Sequence, residues 1–85
     1  MQKNNLQFNV IFRPEIEGGF TAIVPSLPGC VSYGKTIDEA QKMITDAISG
    51  YLTSLKKHKE PMPSSDEKNF ISTIRVSKQN SLIYA

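Results

Sequence analysis

The sequence predicts a small two-layer α+β domain of order β-β-β-α-β, an antiparallel sheet covered on one face by one long helix. Three observations carry this expectation. Two runs of alternating apolar residues, 7–13 and 20–24, flank a Gly-Gly turn. A helical stripe of apolar residues runs unbroken from Ile37 to Leu55. A further alternating run, Phe70 to Val76, follows two prolines. Alternation marks a half-buried strand, and recurrence at three and four residues marks an amphipathic helix.

In the first run Phe8, Val10 and Phe12 share one face, and Gln7, Asn9, Ile11 and Arg13 share the other. Pro14 ends it, because proline has no N–H to donate. Glu17-Gly18-Gly19 is a turn, since glycine adopts positive φ without penalty. In the second run Phe20, Ala22 and Val24 oppose Thr21 and Ile23. Directly opposite residues of a hairpin share a face. The apolar set is even-numbered in both runs, so paired positions sum to an even number, as in Phe12 with Ala22 or Phe12 with Phe20. A one-residue slip would turn one strand's apolar set to water.

Pro28-Gly29 is a turn dipeptide, proline presetting φ and glycine accepting a positive one. Cys30-Val31-Ser32 then fits a short third strand, and Tyr33-Gly34-Lys35 turns the chain into the helix. Thr36 and Glu39 form a T-x-x-E capping box, and Asp38 and Glu39 suit the positive end of the helix dipole. The stripe is Ile37, Ala40, Met43, Ile44, Ala47, Ile48, Tyr51, Leu52 and Leu55. Gly50 costs about 1 kcal/mol relative to alanine and is read as a point of close packing against a neighbouring backbone. The helix stops before Pro61 and Pro63. In the last strand Phe70, Ile74 and Val76 oppose Ile71, Thr73 and Arg75. The reading is one domain over residues 1–85, with a core at about 7–76 and a tail at 77–85.

A chain of 85 residues holds one domain. A domain this small is marginally stable, which favours a homodimer or larger assembly. No run approaches ~20 apolar residues, so no membrane span is expected. The polar start, Met1 to Asn5, leads into no apolar segment of a secretory signal. The single Cys30 forms no internal disulfide, and a cytoplasmic setting follows as the default. The net charge of +2 is uneven: residues 1–55 carry four basic and five acidic side chains, and residues 56–85 carry six basic and three acidic. The basic excess at Lys56, Lys57 and Lys59 reads as cations at a helix C-terminus, and no direct nucleic acid binding is expected.

No catalytic residue, metal ligand or cofactor site is assigned. Two-metal hydrolysis needs clustered carboxylates, yet none of Glu15, Glu17, Asp38, Glu39, Asp46, Glu60, Asp66 and Glu67 lies within a core strand. The lone His58 sits in Lys-Lys-His-Lys with no orienting partner nearby in sequence. Cys30 has no basic neighbour to activate it, and Gly18-Gly19 lacks the pattern of a phosphate-binding loop. What remains is surface. Ile11, Ile23 and Ile71 fall opposite the core parity of their strands, with Thr21 beside them. Tyr33 in an exposed turn reads equally as a partner anchor or as a cover for the helix entry. With Glu15 and Glu17 in the hairpin turn, these residues form the candidate partner-binding set.

Four segments in order carry a resemblance: Phe12-Arg13-Pro14-Glu15, Glu17-Gly18-Gly19-Phe20, Val24-Pro25-Ser26-Leu27-Pro28-Gly29-Cys30 and Gly34-Lys35-Thr36-Ile37-Asp38-Glu39-Ala40. Tyr51-Leu52 and Pro61-Met62-Pro63 also fit. Together they resemble the N-terminal domain of HicB-type antitoxins. The resemblance implies a partial RNase H-like fold, without the metal-binding carboxylates of an active nuclease. It implies binding and inhibition of a small HicA-type toxin, which cleaves mRNA with a histidine. Many members carry a C-terminal DNA-binding module. Only nine residues follow Val76, so promoter binding by this chain is not expected. The alternatives are an orphan homo-oligomeric module of the same family and, more distantly, a divergent metal-dependent nuclease.

Overall fold

The structure, a computed structural model, describes residues 5–78. Three short strands are followed by one long helix: β1 (Ile11–Pro14), β2 (Phe20–Ile23), β3 (Val31–Gly34) and α1 (Ile37–Lys57). The sheet is antiparallel in the order β1-β2-β3. Phe12 lies opposite Ala22, one of the registers that parity allowed. Across β2 and β3, Ala22 lies opposite Ser32 and Ile23 opposite Val31.

The two turns are built by positive-φ glycines. Gly18 and Gly19 (φ 107° and 82°) close the hairpin, where Glu15 N–H donates to Gly19 O at 3.0 Å and Gly18 N–H to Glu15 O at 3.0 Å. Gly29 (φ 83°) closes the second turn, bracketed by Val24 N–H to Cys30 O at 3.1 Å. The third strand lies slightly later than the Cys30–Ser32 expected, and it includes Gly34. A Cβ at Gly34 would collide with the backbone of Glu39 and Ala40. That bare backbone lets β3 and the first turn of α1 touch.

The N-terminal cap of α1 forms as expected on one side. Glu39 N–H donates to Thr36 Oγ1 at 3.1 Å. The Glu39 carboxylate reaches one residue further back than the capping box predicts, accepting from Lys35 N–H at 2.9 Å. The other end closes on Lys59 in the left-handed region (φ 58°), with Glu60 N–H donating to Leu55 O at 2.8 Å. This is the glycine-favoured helix stop, here held by a lysine. His58 Nδ1 lies 2.8 Å from Ser54 O, a helix-end role.

The core is Ala22, Val24, Leu27, Cys30, Ala40 and Ile44, with Phe8, Val10, Phe12, Phe20, Ala47, Ile48 and Tyr51 packed around it. The apolar stripe of α1 is only partly covered. Ala40 and Ile44 are buried, while Ile37 and Met43 are exposed. The 21-residue helix is about 31 Å long, and four-residue strands span only about 13 Å. The helix therefore overhangs the sheet. Gly50 faces open space rather than a neighbouring backbone, which corrects the close packing expected there.

The run expected as a fourth strand, 70–76, carries no strand pairing, so the sheet has three strands among the described residues. Its apolar side chains stand in solvent: Phe70 is 99% exposed, Ile74 80% and Val76 67%. The reason lies at Asp66, where a turn takes the chain off the sheet. The tail assigned to 77–85 lies outside the described residues beyond Lys78.

Candidate protein-binding face

Strand parity divides the sheet into two faces. The even-numbered Phe12, Phe20 and Ala22 turn toward α1, and the odd-numbered side chains of all three strands turn outward. No helix or strand packs on that outer face among the described residues, and the segment 68–71 borders it at Ile11.

The register lines them up in two cross-strand rows. The first is Ile11–Ile23–Val31, and the second is Arg13–Thr21–Tyr33. Ile11 and Val31 are each 52% exposed, and Ile23 between them is half-buried. Val31 was not among the residues singled out from the sequence. Once Cys30 is found buried, strand alternation turns Val31 outward.

Glu15 sits at the end of the second row. Its carboxylate accepts from the Thr21 hydroxyl at 2.5 Å and from Arg13 Nε at 3.3 Å. Those hydrogen bonds, Thr21 first, favour the charged carboxylate and hold its pKa below the ordinary value. Arg13 and Glu15 form a surface ion pair, a class of contact worth little by itself. Glu17 is exposed in the turn, and Ile16 between the two acids is fully exposed. The hairpin tip is thus an apolar knob between two carboxylates.

Tyr33 does not cover the helix entry. It lies on the outer face, half exposed, and its hydroxyl donates to Gly18 O at 2.8 Å. A Cβ on Gly19 would clash with the Tyr33 ring, so the ring lies over that glycine rather than over the helix entry. Ile71 is exposed and shares a shallow pocket with Ile11, Asn9, Pro25 and Phe70. The structure therefore brings Ile11, Ile23, Thr21, Tyr33 and Glu15 onto one face, leaves Glu17 at its tip, and sets Ile71 at its margin.

Asp66 is among the carboxylates that the sequence places outside the core strands. It is buried, at 5% exposure, and it ties the C-terminal segment to the start of the sheet. Its carboxylate accepts from Asn9 N–H at 3.0 Å, from the Ser26 hydroxyl at 2.8 and 2.9 Å, and from the Asn69 side-chain amide at 3.0 Å. Its own N–H donates to Gln7 O at 2.7 Å. Cys30 is buried, and desolvation pushes its thiol pKa up, away from a reactive thiolate. Among the described residues no group of three or more His, Cys, Asp or Glu is placed to hold a metal ion. No helix among them is long and apolar enough to cross a membrane.

A small α+β module, a three-stranded sheet with one long helix on one of its faces, is the class of domain these observations define. The chain belongs to the HicB-like antitoxin family of bacterial toxin–antitoxin systems, whose model matches residues 8–80. It is 43% identical over 58 residues to a UPF0150 protein of Thermoplasma acidophilum, covering 68% of this chain and 84% of that one. It is 39% identical over 64 residues to a UPF0150 protein of Synechocystis, covering 75% and 81%. A UPF0150 protein of Helicobacter pylori is 42% identical over 67 residues, covering 79% and 75%. Family membership supports an antitoxin role.

Proposed function

We propose that this protein is the antitoxin of a type II toxin–antitoxin pair, and that it inhibits a small HicA-type mRNA-cleaving toxin by protein–protein contact. It acts in the cytoplasm, contributes no catalysis and needs no cofactor. The observation that carries the reading is the open sheet face of a HicB-like chain, with the apolar row Ile11–Ile23–Val31 across all three strands. An apolar centre with a polar rim is the usual anatomy of a protein interface. The hairpin tip adds Glu15, Ile16 and Glu17, an acidic and apolar projection suited to the basic surface of an RNA-cleaving enzyme.

The test is titration of a purified HicA-type toxin with this protein, reading both complex formation and mRNA cleavage. The native chain suppresses cleavage at stoichiometric ratio. Ile23→Lys places a charge at the centre of the apolar row and abolishes suppression, while far-UV circular dichroism stays unchanged. Full suppression by a folded Ile23→Lys variant would move the toxin site elsewhere.

A further inference from the structure

The free edge of β1 and the exposed segment 70–76 are complementary, yet they do not meet in the single chain. On β1, Glu15 N–H bonds to Gly19 O, and hydrogen-bonded pairs alternate along an antiparallel ladder. In the register of the hairpin, Arg13 and Ile11 therefore spend their backbone groups on β2. Those of Phe12 and Val10 point away from it, where the sheet ends. Directly beneath this edge lies an open groove between sheet and helix, lined by Phe8, Val10, Phe12, Ile44 and Ile48 and rimmed by Asn9, Gln41 and Thr45. Such an edge above a partly apolar groove is a template for one more strand.

The segment 70–76 has the pattern that template takes. Phe70, Ile74 and Val76 share one parity, all three are exposed, and the segment belongs to no helix or strand. Its own chain starts it on the other side. Asp66 N–H donates to Gln7 O, and the Asp66 carboxylate accepts from Asn9 N–H, backbone groups of the odd parity that Ile11 and Arg13 turn toward β2. The Asp66 carbonyl accepts from Asn69 N–H at 2.9 Å in a turn. The arm therefore leaves from the side away from the free edge of β1.

We propose that the arm 70–76 of one copy adds as a strand to the free β1 edge of a second copy, its apolar face filling the groove beneath Phe12. The occupant is this chain itself. This interface is distinct from the outer sheet face and does not rest on the antitoxin reading.

Light scattering on the intact protein at tens of micromolar tests it. The expected mass is twice the 9.5 kDa of the chain. Phe70→Asp combined with Ile74→Asp, changes at exposed positions, halves that mass and raises the dimer dissociation constant at least about tenfold. A chain ending at Asn69 does the same. Circular dichroism of both variants keeps the helical signal. Ile23→Lys remains dimeric. A pair of chains bearing Ile11→Cys and Thr73→Cys separately forms a covalent heterodimer on oxidation. A monomeric native protein would overturn the proposal. So would a dimer indifferent to the arm variants, or a chain carrying both cysteines that links only within itself.

Discussion

Replacing Asp66 with alanine removes one carboxylate and strands donors from three parts of the chain. Two of the three recover easily, because Ser26 and Asn69 are exposed and can turn to water. The Asn9 N–H is part-buried and loses its acceptor. A buried donor left unsatisfied costs about 1–3 kcal/mol, and hydrogen bonds to a charged group contribute about 1.5–3 kcal/mol. Relief of burying an uncompensated carboxylate offsets part of this. The net expectation is a loss of about 2–3 kcal/mol from the docking of the segment 65–69. If that segment can undock without the rest, the global loss is capped at its docking free energy. The assay therefore has two arms, urea denaturation read by circular dichroism and amide exchange of Asn9 read by NMR. Asp66→Ala lowers the midpoint and speeds Asn9 exchange by about 30–150-fold, the same 2–3 kcal/mol expressed as an opening equilibrium. Asp66→Asn keeps an acceptor for Asn9 and falls between. An unchanged Asn9 exchange rate with less than about 0.5 kcal/mol lost would refute the assignment of Asp66 as the latch.

Ile44→Ala removes three carbon atoms from a side chain 1% exposed and costs about 2–5 kcal/mol by urea denaturation, whereas Met43→Ala next to it, at 45% exposure, costs under about 1 kcal/mol. Lys59→Gly relieves a left-handed residue at the helix stop and raises stability by about 0.5–1 kcal/mol in the same measurement. The depressed pKa of Glu15 gives stability that is present above the ordinary carboxylate pKa and is lost as pH falls through the lower folded value. Denaturation midpoints of the native protein and Glu15→Gln thus converge across that acidic window, and a constant gap from neutral pH downward would contradict the Thr21 and Arg13 hydrogen bonds.

The hairpin was legible because its constraint is local. Once both runs carried apolar residues at even positions, only registers with even sums kept Phe12 and Ala22 inside, and the structure adopts one of them. The helix start was legible for the same reason, since Thr36 and Glu39 act within one turn. The outer face followed from parity through Ile11, Thr21 and Ile23. Val31 was missed because the third run was too short to display its own alternation. Asp66 was invisible in sequence. Its partners Asn9 and Ser26 lie 57 and 40 positions away, and nothing near Asp66 distinguishes a latch from a solvated loop acid. Gly50 and Gly34 show the same limit from another side. Both look like permissive small residues, and only the packing of β3 against Ala40 reveals which one the fold needs bare.

The fate of 70–76 is the case in which pattern and structure disagree most usefully. Its alternation is strong enough to predict a strand, yet the isolated chain leaves Phe70 and Ile74 in water. A strand needs a neighbour as well as a pattern, and the turn at Asp66 directs this one off its own sheet. Pro14 then limits where a borrowed strand can sit. It lies opposite Phe20, in the parity whose backbone groups face the free edge, so the N–H it lacks is an outward one. An added strand therefore bonds beside Val10 and Phe12 and loses its ladder at Pro14, short of the hairpin tip. The tip, with Glu15, Ile16 and Glu17, and the outer row through Ile23 stay uncovered. The two proposals thus call on different parts of β1, its backbone edge for arm exchange and its outward side chains for toxin binding, so neither excludes the other.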